Sequence, residues 1–353
     1  MISTSIRSRA HIGSKYSPGD EAPSLERTSK KAWGNRAYPA LRYFVAGAFF
    51  FSIGTLALAR LHSEWRKKYA LAPRRPKLAD GCHHVYVDVG ANIGVHSRFL
   101  FEPEKYPKAT LALNIFNANF GSPIDRDGRD ICVFAWEPNP AHAVRHQKLE
   151  VAYASLGWRY HYMPFGAGDQ DGTLTFRHIG DEDKKEWGFS AARAPVKEGE
   201  DGGIEEKVPV KRLSAWLAQE IQGRLPPEKI HGVYGDGPGS EPTVVMKLDI
   251  EGSEFIVLPD LMFTGVLCET VDHIFGEFHL FDNKFFPMVF SPDEETGKGG
   301  LELINASWAG TYKKNLLRAF RSLRGSCRTT FDEGHSEIYL HDGQPLPGVN
   351  KIV

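Results

Sequence analysis

Short apolar runs recur along the second two thirds of the chain, each closed by glycine, proline or an acidic residue. Val85–Val89, Ile131–Trp136, Trp158–Met163, Val208–Val210, Thr243–Ile250 and Val271–Phe278 are brief and rich in β-branched and aromatic residues. That pattern predicts strands, most of them buried on both faces. Between them lie segments of helical character at Asn92–Phe101, Ala141–Leu156, Leu213–Ile221, Glu254–Met262 and within Leu301–Leu323. Strands alternating with helices predict an α/β fold with a doubly wound parallel sheet. Thr173–His178 alternates and reads as an added strand. Arg328–Phe331 and Glu337–Leu340 are expected to close the sheet as an antiparallel pair.

The pattern differs before residue 81. Residues 1–42 are rich in Ser, Arg, Lys, Gly and Pro without apolar periodicity, the composition of a disordered tail. Tyr43–Ala59 carries no charge and is bracketed by Arg42 and Arg60; with its flanking residues it predicts one transmembrane anchor at 43–61. A buried soluble helix is the plainer alternative, and a cleaved signal peptide fits poorly with a run that begins so far in. Residues 62–80 read as a basic linker and 81–353 as the folded domain. Basic residues after the span favour a cytoplasmic domain, whereas the sequon Asn305-Ala306-Ser307 matters only in a lumen, so the side stays open.

Composition changes this picture little. Hydrophobic content of 41%, charged content of 25% and a net charge of −1 describe a globular protein with no general attraction for nucleic acid. Cys82, Cys132, Cys268 and Cys327 are scattered without C-x-x-C spacing. They argue against a metal cage or dense disulfide framework, and Cys132 and Cys268 read as buried thiols.

The chemistry concentrates where strands end. VDVGANIGVHS (residues 87–97) joins a strand to a helix through a glycine turn, and a helix start offers N–H groups to anionic ligand groups. Its D-x-G-x-x-x-G spacing is not that of dinucleotide enzymes, which disfavours hydride transfer. Glu137 follows the second strand, where a carboxylate can accept from both hydroxyls of a ribose. Lys247, Asp249 and Glu251, with Glu277 and His279, bring titratable groups to the same crevice, because neighbouring parallel strands end together. Asp249 is placed to orient or deprotonate an alcohol, His279 to act as base, and Lys247 to pair with Asp249. An ion-pair network beneath the site is the plainer reading of Lys247 and Glu251. A metal held by Asp249, Glu277 and His279 is the weaker one, and no metal is expected.

VDVGANIGVHS, FAWEPNP and MKLDIEGSEFIVL, in that order, resemble the hallmarks of FkbM-type S-adenosylmethionine-dependent methyltransferases, and GEFH (Gly276–His279) is similar to that family's fifth-strand ending. The resemblance implies a class I methyltransferase (Rossmann-like) sheet with an antiparallel last strand and S-adenosylmethionine as cofactor. It places Asp88, Gly90, Asn92 and Gly94 around the methionine part and Glu137 on the ribose. Asn139 shapes that turn, while Gly168 and Asp169 lie beside the adenine. Leu213 is followed by Ser214 where the family often has aspartate, and residues 104–130, 180–206 and 283–300 are long insertions, the second a surface loop or a mobile lid. The expected activity is O-methylation of a small-molecule or glycan acceptor at a membrane. Alternatives are N-methylation of a peptide or lipid, and a noncatalytic cofactor-binding scaffold.

Overall fold

The computed structural model describes residues 74–178, 189, 204–279, 306–322, 327–334 and 342–347. The expected tail at 1–42 and span at 43–61 lie outside the described residues. Among the described residues no helix is long and apolar enough to cross a membrane.

The chain runs through β1 (His84–Val89), α1 (Val95–Phe101), α2 (Thr110–Phe120), β2 (Ile131–Trp136), α3 (Pro140–Ala154), β3 (Arg159–Met163), β4 (Gly166–Gly168) and β5 (Gly172–His178). It continues with β6 (Ile204–Arg212), α4 (Leu213–Glu220), β7 (Val244–Leu248), α5 (Glu254–Phe263), α6 (Val266–Thr270), β8 (His273–Gly276), α7 (Ala306–Ser322) and β9 (Thr330–Glu333). The central sheet has the order β3-β2-β1-β7-β8-β9 and every pairing in it is parallel. Strand order reverses between β1 and β7, which opens a crevice beyond their carboxyl ends.

Residues of β1, β2 and β7 are buried throughout, as strands covered on both faces require. Val87, Phe134 and Met246 face one core, packed against Leu213, Leu217 and Leu258. Tyr86, Val133 and Val245 face the other, against Phe99, Phe116 and Tyr153. Pro140 takes the first turn of α3, and the Asn139 side chain caps it by accepting from the Ala141 N–H at 3.0 Å. Pro259 lies inside α5 and cannot donate to the Phe255 carbonyl; the Tyr312 hydroxyl of α7 supplies that bond at 3.2 Å.

Three sequence expectations need correction. The last strand is parallel: β9 pairs with β8, Ile274 opposite Phe331, because the connection containing α7 is long enough to return the chain in the same direction. The expected partner strand at Glu337–Leu340 lies outside the described residues. Second, the cysteines are paired, Cys82 with Cys132 and Cys268 with Cys327, with Cα atoms 5.7 and 4.6 Å apart. Partners 50 and 59 residues apart leave no local spacing from which to read the bond. Third, the short strand at Val208–Val210 extends over all of β6 and forms, with β4 and β5, a second sheet of three strands. Before β1, Arg75 pairs with Glu220 and the Leu78 N–H donates to the same carboxylate. The first expected insertion, 104–130, holds α2 and packs it on the sheet; most of 180–206 and all of 283–300 lie outside the described residues.

Candidate active site

The strand ends are aligned by register: Val89 stands opposite Trp136 on one side and Leu248 on the other, and Leu248 opposite Gly276. A cleft opens there, lined by the glycine turn, by Glu137 and by Lys247, Asp249, Glu251 and His279. Gly90 adopts φ +80°, and a Cβ on it would lie 1.7 Å from the Asp249 carbonyl oxygen. Only glycine fits, because the backbone after β1 crosses directly beside the backbone after β7.

Asn92, at φ 49°, occupies the left-handed region without being glycine. Its N–H donates to Glu137 Oε2 at 2.6 Å, and its Oδ1 accepts from the Ile93 N–H at 2.7 Å. The other oxygen of Glu137 accepts from the Asn139 N–H at 2.8 Å. Glu137 therefore ties the first turn to the second and still presents its carboxylate to the cleft.

Lys247 is the buried cation of the site. Its Nζ donates to the Gly90 carbonyl at 2.8 Å, lies 2.9 Å from Asp249 Oδ2 and 3.9 Å from Asp88 Oδ1. Burial by itself lowers the lysine pKa, but the two carboxylates outweigh it and the net shift is upward. The expected Lys247–Asp249 pair is present. Asp88 lies behind the turn, fully buried, and accepts from the Ser97 hydroxyl at 2.9 Å. Burial pushes its pKa up to about 6, against the opposing pull of Lys247 and Ser97.

His279 meets three acids. Its Nδ1 lies 3.0 Å from Glu254 Oε1, and its Nε2 lies 3.5 Å from both Asp249 Oδ1 and Glu277 Oε2. Desolvation lowers its pKa, but Glu254 foremost, then Glu251 and Asp249, raise the balance to about 9. This shift favours the protonated ring at neutral pH. Glu254 is the residue that the sequence reading passed over. It is fully buried at the start of α5, and accepts from the Ile250 and Gly252 N–H groups at 2.7 and 2.9 Å. The last acid of Glu251-Gly252-Ser253-Glu254, at a helix opening, was the available signal. Those bonds hold the turn in which Glu251 sits at φ 54°.

Asp249, Glu254 and His279 also offer ligand atoms within 4.8 Å of one another, but Glu254 is engaged by two N–H groups and Asp249 by an ammonium. Not every expected residue lines the cleft. Gly94 caps α1 in the left-handed conformation, and a Cβ there would press on Leu149 at 2.8 Å. Asn139 is buried as a helix cap, Gly168 is packed against Val210, and Asp169 is exposed in the turn after β4. The wall near them is instead aromatic and small: Trp136, Phe165, Gly166, Ala167, Phe176 and Phe189.

A mostly parallel sheet with a glycine turn after its first strand, an acid after its second and a charged cluster after the next defines an α/β methyltransferase-like protein. The Methyltransferase FkbM domain model matches residues 88–298, more than half the chain, and the chain belongs to that family. The resemblance carried by the three motifs is thereby borne out. No curated protein and no solved structure matches the chain.

Proposed function

We propose that the chain is an S-adenosylmethionine-dependent O-methyltransferase acting on a sugar or another hydroxylated acceptor. One observation carries this: Glu137 and the Lys247–Asp249–His279 cluster face the same cleft from strands on opposite sides of the switch point. The donor set suits the cofactor. Glu137 supplies an acceptor for a ribose diol, Trp136 contributes a buried indole N–H with no partner among the described residues, and Phe165, Phe176 and Phe189 offer flat apolar surface to a purine. The acids around His279 favour a positively charged sulfonium.

The cofactor, when bound, supplies a methyl group activated on sulfur. Asp249 would hold the acceptor hydroxyl and take its proton as the hydroxyl oxygen displaces sulfur at the methyl carbon, the S–C bond breaking to leave a neutral thioether. Lys247 and His279 fix the two oxygens of Asp249, one each. Glu254 and Glu277 balance the imidazolium. The aromatic wall limits water at the reacting atoms.

The sequence run at 43–61 anchors the protein in this reading, and the pairing of all four cysteines favours a domain on the oxidising, lumenal side. The test is S-adenosylmethionine binding by calorimetry, then transfer of a radiolabelled methyl group to a panel of glycosides. Asp249→Asn is expected to slow transfer by about 10²–10⁴-fold with little change in cofactor affinity. Absence of cofactor binding overturns the class; an unchanged rate removes Asp249 from the chemistry.

A further inference from the structure

The family match ends at residue 298, yet a segment beyond it reaches back to Arg98 and Arg145, beside the glycine turn. Asp342 is buried. Its Oδ2 lies 2.5 Å from Arg145 and 2.6 Å from Arg98, and its Oδ1 accepts from the Tyr106 hydroxyl at 2.8 Å. Arg98 also donates to the carbonyls of Gln344 and Pro345 at 3.0 and 2.7 Å, which seats the segment. Arg145, on α3, turns its Nε to the carbonyl of Ile93 at 2.7 Å. The carboxylate at 342 is thus one side chain away from the backbone of the turn.

That turn needs holding, because Asn92 is left-handed without being glycine. Its N–H is held by Glu137 and its carbonyl by His146 Nε2 at 2.6 Å. A carbonyl only accepts, so Nε2 carries the proton and Nδ1 accepts from the Tyr160 hydroxyl at 2.6 Å. Ile93 depends on Arg145, whose side chain is 27% exposed. A long, partly exposed guanidinium loses considerable rotamer freedom when it is fixed on a carbonyl. A buried carboxylate that grips its other end removes the competing solvent-directed rotamers.

We propose that Asp342 is a positioning residue for the cofactor turn: through Arg145 it fixes the backbone at Ile93, and so the C-terminal segment sets the affinity of the site for a nucleoside cofactor. This rests on the cofactor assignment above. Arg98 anchors the segment; Arg145 transmits its effect.

The test uses the full-length chain with Asp342→Asn, Arg145→Met and the double variant, at a temperature where circular dichroism shows each folded. Calorimetry with S-adenosylhomocysteine is expected to show about a tenfold weaker Kd for each single variant, and no further loss in the double. Amide exchange at residues 92–95 of the unliganded protein is expected to quicken in all three variants. Arg145→Met keeps the test decisive if Asp342→Asn misfolds, since Arg145 is the less buried partner. A Kd within twofold of wild type, additive losses, or unchanged exchange at the turn overturns the proposal. If the wild-type chain binds no S-adenosylhomocysteine, the cofactor reading falls, and with it the affinity role. The exchange measurement then judges separately whether Asp342 holds the turn.

Discussion

Lys247 donates from the end of β7 to the carbonyl of Gly90 at 2.8 Å, so the ammonium that neutralises Asp249 also closes the turn after β1. One buried cation serves two strands. Lys247→Met keeps most of the volume but takes the ammonium from both Asp88 and Asp249, leaving Asp249 with His279 alone. Breaking a buried ion pair from one side typically costs about 3–5 kcal/mol. Urea denaturation is expected to show a loss of that order; a variant as stable as wild type excludes Lys247 as the electrostatic centre.

Gly90→Ala tests the contact between the two turns. The added methyl would meet the Asp249 carbonyl oxygen at 1.7 Å, and φ +80° is unfavourable to any Cβ. One of the two turns must move. The expected outcome is a lower melting temperature together with loss of cofactor binding, read by scanning calorimetry and titration. Normal affinity in this variant means that the turns do not touch as described.

Stability should fall on the alkaline side, and His279 gives the sign. Its pKa rises from 6.5 to about 9 on folding, so the folded state holds the proton more tightly. Its contribution is fully present below about pH 6.5 and is lost as pH rises through about 9. Asp88 acts in a lower window: with its pKa raised from 3.8 to about 6, the folded state gains protons and stability as pH falls through that range. Denaturation free energies measured between pH 6.5 and 9 should decline in wild type and flatten in His279→Gln. Parallel curves for the two proteins remove His279 from the linkage.

Reduction supplies a fourth check. Loops closed over 50 and 59 residues correspond to roughly 4 kcal/mol for each bond in the chain-entropy description. Dithiothreitol is expected to lower the melting temperature markedly. A thiol assay on denatured, unreduced protein should find no free cysteine; four reactive thiols would contradict both pairings.

Much of the sheet was legible because Val85–Val89, Ile131–Trp136 and Thr243–Ile250 are mostly apolar, with residues of either parity buried. The extent of β6 was less so, since Ile204–Arg212 mixes charge with apolar residues at a surface sheet. Direction was the harder matter: whether β9 runs with β8 or against it depends on a connection through α7, not on Thr330–Glu333 itself. Within the site, Lys247 beside Asp249 follows from strand periodicity, as both point to one face two residues apart. The upward pKa shift of His279 does not, because its main cause is Glu254, at the start of a helix 25 residues earlier. Asp342 was invisible for the same reason at longer range: its partners lie 197 and 244 residues away.

The two cysteine pairs have a mechanical consequence. Cys82 precedes β1, Cys132 is the second residue of β2, Cys268 lies in the short helix leading to β8, and Cys327 precedes β9. Each is at or before the beginning of a strand, and the cleft is at the other end. Among the described residues, both disulfides rivet the foot of the sheet, and the lip is held by noncovalent contacts. Opening of the cleft strains none of the rivets, and the lip should be the first part to loosen on warming.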